Sequence, residues 1–130
     1  MSETLYDTRF FLELYGSKGA DIKRKLRSEV ETQKRRYAST ITIHEIYRIT
    51  LRNEGRELAK IRKAAIERDF ELIDIDSDIA AEAAEIKVAQ GRDFPLADAI
   101  ISATGLLRKL TCLTDDEHIK AVPHIKTRWL

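Results

Sequence analysis

Cysteine, proline and tryptophan are scarce in this 130-residue sequence, which contains one cysteine, two prolines and one tryptophan. The single thiol, Cys112, excludes an intrachain disulfide and is typical of a reducing compartment. Residues 1–11 have neither the basic start nor the long apolar run of a secretion signal, and no window approaches 18 apolar residues. We therefore expect a cytoplasmic protein without a membrane-spanning segment.

Several motifs of catalysis are also missing. The chain has no glycine-rich phosphate loop and no dinucleotide-binding fingerprint. Ser39 and Ser102 have no histidine and aspartate nearby in the sequence that would activate them, and Cys112 lies in an apolar segment, so nucleophilic catalysis is not expected. None of the three histidines has metal-ligand spacing, which favours solvent-facing or capping roles for His44, His118 and His124.

Charge is abundant and unevenly distributed. Charged residues make up 35% of the chain and hydrophobic residues 43%, with a net charge of +1. Residues 1–68 carry 16 basic and 10 acidic side chains, whereas residues 69–98 carry two and nine. The length suits one domain, residues 1–130, with one core. A basic surface beside an acidic cluster would suit a metal-dependent enzyme that acts on nucleic acid; the alternative is that these charges form solvated helix faces.

Hydrophobic periodicity predicts strands that alternate with helices. Thr42 is predicted to cap a helix, with Glu45 completing a capping box, and Pro95 is predicted to begin another helix. Such alternation indicates an α/β fold, a three-layer sandwich with a central, mainly parallel sheet. The predicted strands lie near residues 5–6, 37–41, 70–75, 110–114 and 125–127, and the predicted helices near 8–14, 21–36, 43–53, 56–68, 77–86 and 96–107.

Acidic residues occur where strands of this kind end. Asp7 closes the first strand, Asp115 or Asp116 closes a later one, Glu45 lies in a helix that follows a strand, and Asp98 begins an apolar helix. Carboxyl ends of parallel strands meet at one crevice, so these side chains should converge. Converging carboxylates repel one another unless a cation compensates, and oxygen ligands favour Mg²⁺ or Mn²⁺.

Each acid also has a purely structural explanation. Asp7 and Asp116 could cap the helices that follow them, and Glu45 could serve only the capping box. Asp98 is harder to explain in this way, because a charge beside the core is costly, although a helix N-terminus would stabilise it.

Four segments together resemble PIN-domain proteins of the VapC type, the toxins of toxin–antitoxin pairs. The segments are 5–8 (LYDT), 39–45 (STITIHE), 95–103 (PLADAIISA) and 113–116 (LTDD). The resemblance implies a metal-dependent endoribonuclease that uses Mg²⁺ or Mn²⁺. It makes the acids Asp7, Glu45, Asp98 and Asp116 both catalytic residues and metal ligands.

The resemblance also implies roles for neighbouring residues. Thr8 and Thr114 match hydroxyl positions that support the acids, and the pattern Thr-x-Asp selects Asp116 over Asp115, which becomes an outer acid. Arg9 departs from the usual pattern, in which asparagine or a small residue follows Asp-Thr; the two alternatives are that it contacts the phosphate or that it points outward.

The implied partners are an RNA substrate, a cognate antitoxin and a second copy of the chain. The stretch from Lys18 to Arg36 is a candidate surface for the RNA backbone because eight of its residues are basic. A homodimer is also suggested by an excess of apolar residues in the first helix over what one core face needs, namely Phe10, Phe11, Leu14 and Tyr15. The alternative function is a catalytically idle PIN-like module that binds RNA or protein.

Overall fold

The computed structural model describes residues 3–16, 19–33 and 35–130 and confirms the predicted alternation of strands and helices. Lys18 and Lys34 of the basic stretch lie outside the described residues. The elements are β1 (Thr4–Tyr6), α1 (Thr8–Tyr15), α2 (Ala20–Thr32), β2 (Arg36–Ser39), α3 (Thr40–Glu54), α4 (Arg56–Asp69), β3 (Glu71–Ile73), α5 (Ser77–Gln90), α6 (Leu96–Arg108), β4 (Thr111–Leu113), α7 (Glu117–Lys120) and β5 (Thr127–Arg128).

The five strands found in the described part of the chain form one sheet in the order β3-β2-β1-β4-β5. Every neighbouring pair is parallel, as in the register Leu5 to Tyr37 and Leu5 to Cys112 across the central strand. All carboxyl ends of the strands therefore lie at one edge of the sheet, which we call the carboxyl edge. This arrangement confirms the predicted central parallel sheet.

Two apolar clusters cover the two faces of the sheet. Successive side chains of β1 face opposite ways, so Leu5 lies in a cluster with α5, α6 and α7, whereas Tyr6 lies in a cluster with α1 to α4. In α6, Gly105 allows close packing on β4, because a Cβ atom there would lie 2.7 Å from Cys112 Sγ. The three layers of the predicted sandwich are thus present.

The apolar residues of α1 serve this chain's own core. Phe10 and Phe11 are completely buried, and their rings contact those of Tyr6 and Phe70 at centroid distances of 4.7 and 4.9 Å. Leu14 and Tyr15 pack against the same cluster. The premise that these residues exceed the needs of one core was wrong, because the helix is covered by aromatic and aliphatic residues from several elements.

Some predicted boundaries were also wrong. Ser39, and not Thr42, caps α3: its Oγ accepts a hydrogen bond from the backbone N–H of Ile41 at 3.1 Å. The helix therefore begins at Thr40, directly after β2, and Thr42 is buried in its first turn. A serine oxygen that satisfies a free helical N–H outweighed the strand propensity of the β-branched residues that follow it. The capping box of Thr42 and Glu45 does not form.

A partly buried ion pair holds the last strand against α2. Arg128 donates two hydrogen bonds to the Glu29 carboxylate, at 2.9 and 2.8 Å, and a third to Thr4 Oγ1 at 3.1 Å. The Tyr6 hydroxyl donates to the same carboxylate at 2.8 Å. These bonds, mainly from Arg128, hold the pKa of Glu29 below its ordinary value even though burial opposes the shift.

Helix length and composition also bear on membranes. Among the described residues, no helix combines the length and apolar character that crossing a bilayer requires.

Candidate active site

The carboxyl edge of the sheet gathers three of the four predicted acids. Asp7 directly follows β1, and Asp116 lies three residues after the end of β4, its neighbour in the sheet. Asp98 belongs to the first turn of α6, which packs beside β4 and α7. The parallel topology is the reason that residues so distant in sequence meet here.

Asp7 is fixed in place from both sides. Its Oδ1 accepts a hydrogen bond from the Arg9 backbone N–H at 2.8 Å and so caps α1, while its Oδ2 accepts one from the Thr114 hydroxyl. The residue is only 2% exposed, and this burial raises its pKa despite both hydrogen bonds. Asp7 therefore both caps a helix and contributes a buried carboxylate to the site.

Thr114 joins two of the acids. Its hydroxyl donates to Asp7 and accepts a hydrogen bond from the Asp116 backbone N–H at 2.9 Å. A single threonine at the end of β4 thus sets the positions of Asp7 and Asp116 relative to each other. This placement agrees with the supporting role that the resemblance implies for Thr114.

Asp98, Asp116 and His118 form the closest group of side chains that could ligate a metal in the described part of the chain. One ligand atom from each lies within 4.8 Å of the other two, and among the described residues no other group of three acids, histidines or cysteines is this close. His118 Nδ1 lies 3.4 Å from Asp98 Oδ2 and 3.4 Å from Asp116 Oδ1. Two carboxylates and an imidazole are a suitable ligand set for a divalent cation.

The electrostatics of Asp98 reflect this crowding. Burial raises its pKa to about 7, and the negative charges of Asp116 and Asp7 add to the shift, whereas His118 lowers it. The side chain is 15% exposed. A bound cation would relieve both the repulsion and the desolvation, so the residues that are present fit a metal.

Asp116 has two roles at once. Its Oδ1 accepts hydrogen bonds from the backbone N–H groups of His118, at 2.8 Å, and Ile119, at 3.2 Å, and thereby caps α7. The same carboxylate faces Asp98. The structural and the functional explanation of this residue are therefore compatible, as they are for Asp7.

Glu45 lies apart from the closest group. It is half-buried on α3 and pairs with Arg48, one turn further along the helix, at 3.3 Å. Its position on the first turns after β2 keeps it at the carboxyl edge of the sheet. The structure thus brings Asp7, Asp98 and Asp116 together but leaves Glu45 paired with a cation.

The remaining predicted residues, Asp115 and Thr8, contact partners outside the group of Asp7, Asp98 and Asp116, which we call the acid group. Asp115 accepts a hydrogen bond from Arg9 Nε at 2.6 Å, and the pair is partly exposed. The Thr8 hydroxyl lies 3.3 Å from the Thr42 hydroxyl, a buried contact between α1 and α3. Asp115 therefore pairs with Arg9 at the surface, and Thr8 joins two helices.

His118 is 52% exposed, in line with the expected solvent-facing role, but it also lies beside two of the candidate acids. Spacing between the histidines carried no signal, and a solvent-facing or capping role was expected. Asp116 begins α7, so a residue two positions later lies on the first turn beside it, and the Phe94 ring packs edge-on against the imidazole at 5.5 Å. The signal in the sequence was that His118 follows the candidate acid Asp116 by two positions. Because Asp116 caps a helix, such a residue lies in the first turn beside it.

The sequence profile of the PIN domain matches residues 4–125, which is nearly the whole chain. This chain belongs to the PIN domain family. No protein of curated function matches the sequence.

Solved structures share this PIN fold over their full lengths. The chain is similar to VapBC2 from Rickettsia felis, solved bound to promoter DNA, with a TM-score of 0.79 at 12% identity and 98% of each chain covered. DNA-bound VapBC from Salmonella typhimurium gives a TM-score of 0.79 at 18% identity, covering 99% of this chain and 98% of that one. VapC20 from Mycobacterium tuberculosis, a toxin that cleaves the sarcin-ricin loop, gives 0.76 at 18% identity, with 92% and 94% covered.

Proposed function

We propose that this PIN domain is a metal-dependent endoribonuclease and the toxin of a toxin–antitoxin pair. The observation that carries the proposal is the convergence of Asp7, Asp98 and Asp116 on one another at the carboxyl edge. Carboxylates crowded in this way weaken the fold unless they bind something positive. Structural similarity to VapC20, a toxin that cleaves RNA of the sarcin-ricin loop, supports RNA as the substrate.

Asp7, Asp98 and Asp116 would hold the cation, with His118 as an additional nitrogen ligand. A divalent cation bound there supplies an activated water and offsets negative charge on the phosphodiester. The Thr114 hydroxyl keeps two of these carboxylates in register, and the N–H groups that α1 and α7 donate to Asp7 and Asp116 fix their rotamers. Glu45 would join the site by leaving Arg48. Mg²⁺ and Mn²⁺ both suit a mainly oxygen ligand set, and the imidazole adds affinity for Mn²⁺.

The proposed protein partner is an antitoxin. Two of the similar structures are VapBC complexes, and the acid group of this chain suits an inserted arginine or lysine. Such a side chain would compete with the cation, so Mn²⁺ should weaken antitoxin binding. The neighbouring reading frame should encode a small DNA-binding protein with a basic tail, and that tail should bind an Asp7, Glu45 and Asp98 triple variant poorly.

We also propose that the chain forms a homodimer. Because Phe10 and Phe11 are buried in the core of a single chain, this proposal depends on the similarity to VapC-type proteins alone. Sedimentation velocity at micromolar concentrations should give a dimer, and a monomer throughout would contradict it.

Cleavage of a labelled single-stranded RNA tests the enzymatic proposal. We expect wild type to cleave with Mg²⁺ or Mn²⁺ and to stop in EDTA. Asp98→Asn should fold and lose metal-dependent cleavage. Asp78→Asn is its matched control, because Asp78 is the exposed first-turn acid of α5 and its replacement removes the same charge. Binding without cleavage by wild type would instead favour the idle module.

A further inference from the structure

Arg9 lies at the border of the acid group. It is the second residue of α1, and its backbone N–H donates to Asp7 Oδ1 at 2.8 Å, so the start of its side chain is fixed beside a buried carboxylate. The side chain itself is 50% exposed. Arg9 therefore combines a rigid attachment at the site with a guanidinium that solvent and substrate can reach.

The guanidinium is bound through only one of its nitrogens in the described part of the chain. Nε donates to Asp115 Oδ1 at 2.6 Å, which leaves both terminal amino groups for another acceptor. A guanidinium has five donors in a planar fork that matches two oxygens of a phosphate. The ion pair with Asp115 therefore leaves the phosphate-binding end of the fork free.

The charges around Arg9 show that it belongs to the site. Its backbone N–H is hydrogen-bonded to Asp7, and its guanidinium is hydrogen-bonded to Asp115, which is adjacent in the chain to Asp116. An RNA strand that approaches Asp7, Asp98 and Asp116 meets strong negative potential. A fixed cation at this border would reduce the repulsion where the phosphate must enter.

We propose that Arg9 binds an RNA backbone phosphate next to the scissile bond through the two terminal amino groups that its ion pair with Asp115 leaves free. The inference rests on the proposed ribonuclease function and names a residue that binds the substrate. The competing explanation is that the pair merely fastens α1 to the segment after β4. An exposed ion pair contributes little to stability, so that explanation predicts small and equal effects from both partners.

The two partners should have opposite effects on RNA binding. Replacing Arg9 removes a phosphate contact. Neutralising Asp115 removes a negative charge near the phosphate and frees the Arg9 guanidinium from its ion pair. Arg68 and Asp69 provide a comparison pair of the same charges: Arg68 donates from Nε and from one terminal amino group to the Asp69 carboxylate, at 2.9 and 3.0 Å, also exposed, but at the opposite edge of the sheet. Arg68→Ala and Asp69→Asn therefore measure what the same changes of charge do at a distance from Asp7, Asp98 and Asp116.

The experiment is fluorescence anisotropy with a fluorescein-labelled single-stranded RNA, with Ca²⁺ in place of Mg²⁺ and the RNA checked for integrity afterwards. We expect Arg9→Ala to raise Kd about tenfold and to reduce the slope of log Kd against log salt by about one, with about twofold or less for Arg68→Ala. Asp115→Asn should bind as tightly as wild type or more tightly. Arg9→Lys, which keeps the charge but loses the fork, should recover part of the affinity.

Two results would overturn the inference while the proposed function stands. One is a wild type that cleaves RNA while Arg9→Ala and Arg68→Ala have the same Kd; the other is equal weakening by Arg9→Ala and Asp115→Asn. A wild type that neither binds nor cleaves RNA would overturn both the inference and the proposed function. Circular dichroism and thermal melting of each variant, with Arg9→Lys as the milder change, separate loss of binding from loss of folding.

Discussion

Glu29 and Asp98 are carboxylates of similar burial, with side chains 10% and 15% exposed, in opposite surroundings. Glu29 accepts two hydrogen bonds from Arg128 and one from Tyr6, and its pKa is lowered. Asp98 faces two further carboxylates, and its pKa is raised. Burial alone therefore does not distinguish a structural acid from a functional one. The neighbouring group distinguishes them. The charge of a carboxylate bonded to a guanidinium is already compensated, whereas a carboxylate that faces other carboxylates needs a cation to compensate its charge.

Asp115 and Asp116 give the largest expected contrast, because Asp115 pairs with the Arg9 guanidinium whereas Asp116 lies beside Asp98 and the His118 imidazole. Asp116→Asn should lower kcat about 100-fold or more, since a metal ligand is lost while asparagine still caps α7. Asp115→Asn should change kcat by no more than about threefold. Steady-state cleavage kinetics at saturating Mg²⁺ measure both, and the reverse ranking in folded proteins would overturn the assignment of Asp116.

Glu29→Gln should damage the fold and spare the site. Its loss leaves Arg128 without a charged partner in a partly buried position, and we expect a decrease of about 2 kcal/mol in the free energy of unfolding. Urea denaturation measures this loss, and cleavage per folded molecule should stay unchanged. A variant as stable as wild type would remove the structural role of the pair.

The pH dependence of the same variant follows from the lowered pKa of Glu29. A carboxylate whose pKa is lower in the folded state stabilises the protein above its unfolded pKa, about 4.3, and this stabilisation is lost as pH falls through the folded pKa. The stability difference between wild type and Glu29→Gln should therefore be constant above about pH 5.5 and shrink on acidification. Urea denaturation at a series of pH values checks it; a difference that grows towards acid would contradict the sign.

Asp98→Asn should show the smallest effect, in the opposite direction. Without a divalent cation, neutralising Asp98 relieves repulsion from Asp7 and Asp116, so the variant should be more stable than wild type in EDTA by about 0.5 to 1 kcal/mol. Thermal melting in EDTA measures this gain, with Asp78→Asn as the control. A clear loss of stability would mean that Asp98 has a structural partner.

The position of most acids could be predicted from the sequence, because strand ends and helix starts are readable from local patterns. Asp7 follows an apolar strand, and Asp98 is the charged residue of an otherwise apolar helix. A parallel sheet brings such positions to one edge whatever the details of packing. The fold class and the core of the site were predictable for this reason.

Other features depend on contacts that local patterns do not encode. Glu45 pairs with Arg48. Whether its side chain points towards this arginine or towards the other acids depends on rotamers and solvation, which local patterns do not encode. Phe10 and Phe11 were assigned to an interface because the number of elements around α1 could not be read from the sequence. His118 lies beside Asp98 and Asp116, a proximity to acids that the spacing between histidines does not show.

The central claim is that Asp7, Asp98 and Asp116 bind a divalent cation. Isothermal titration of Mn²⁺ into metal-free wild type, Asp98→Asn and Glu29→Gln tests it without any assumption about the RNA. We predict that wild type and Glu29→Gln bind Mn²⁺ with the same affinity and that Asp98→Asn binds at least about tenfold more weakly. A folded Asp98→Asn that binds Mn²⁺ as tightly as wild type would contradict the account.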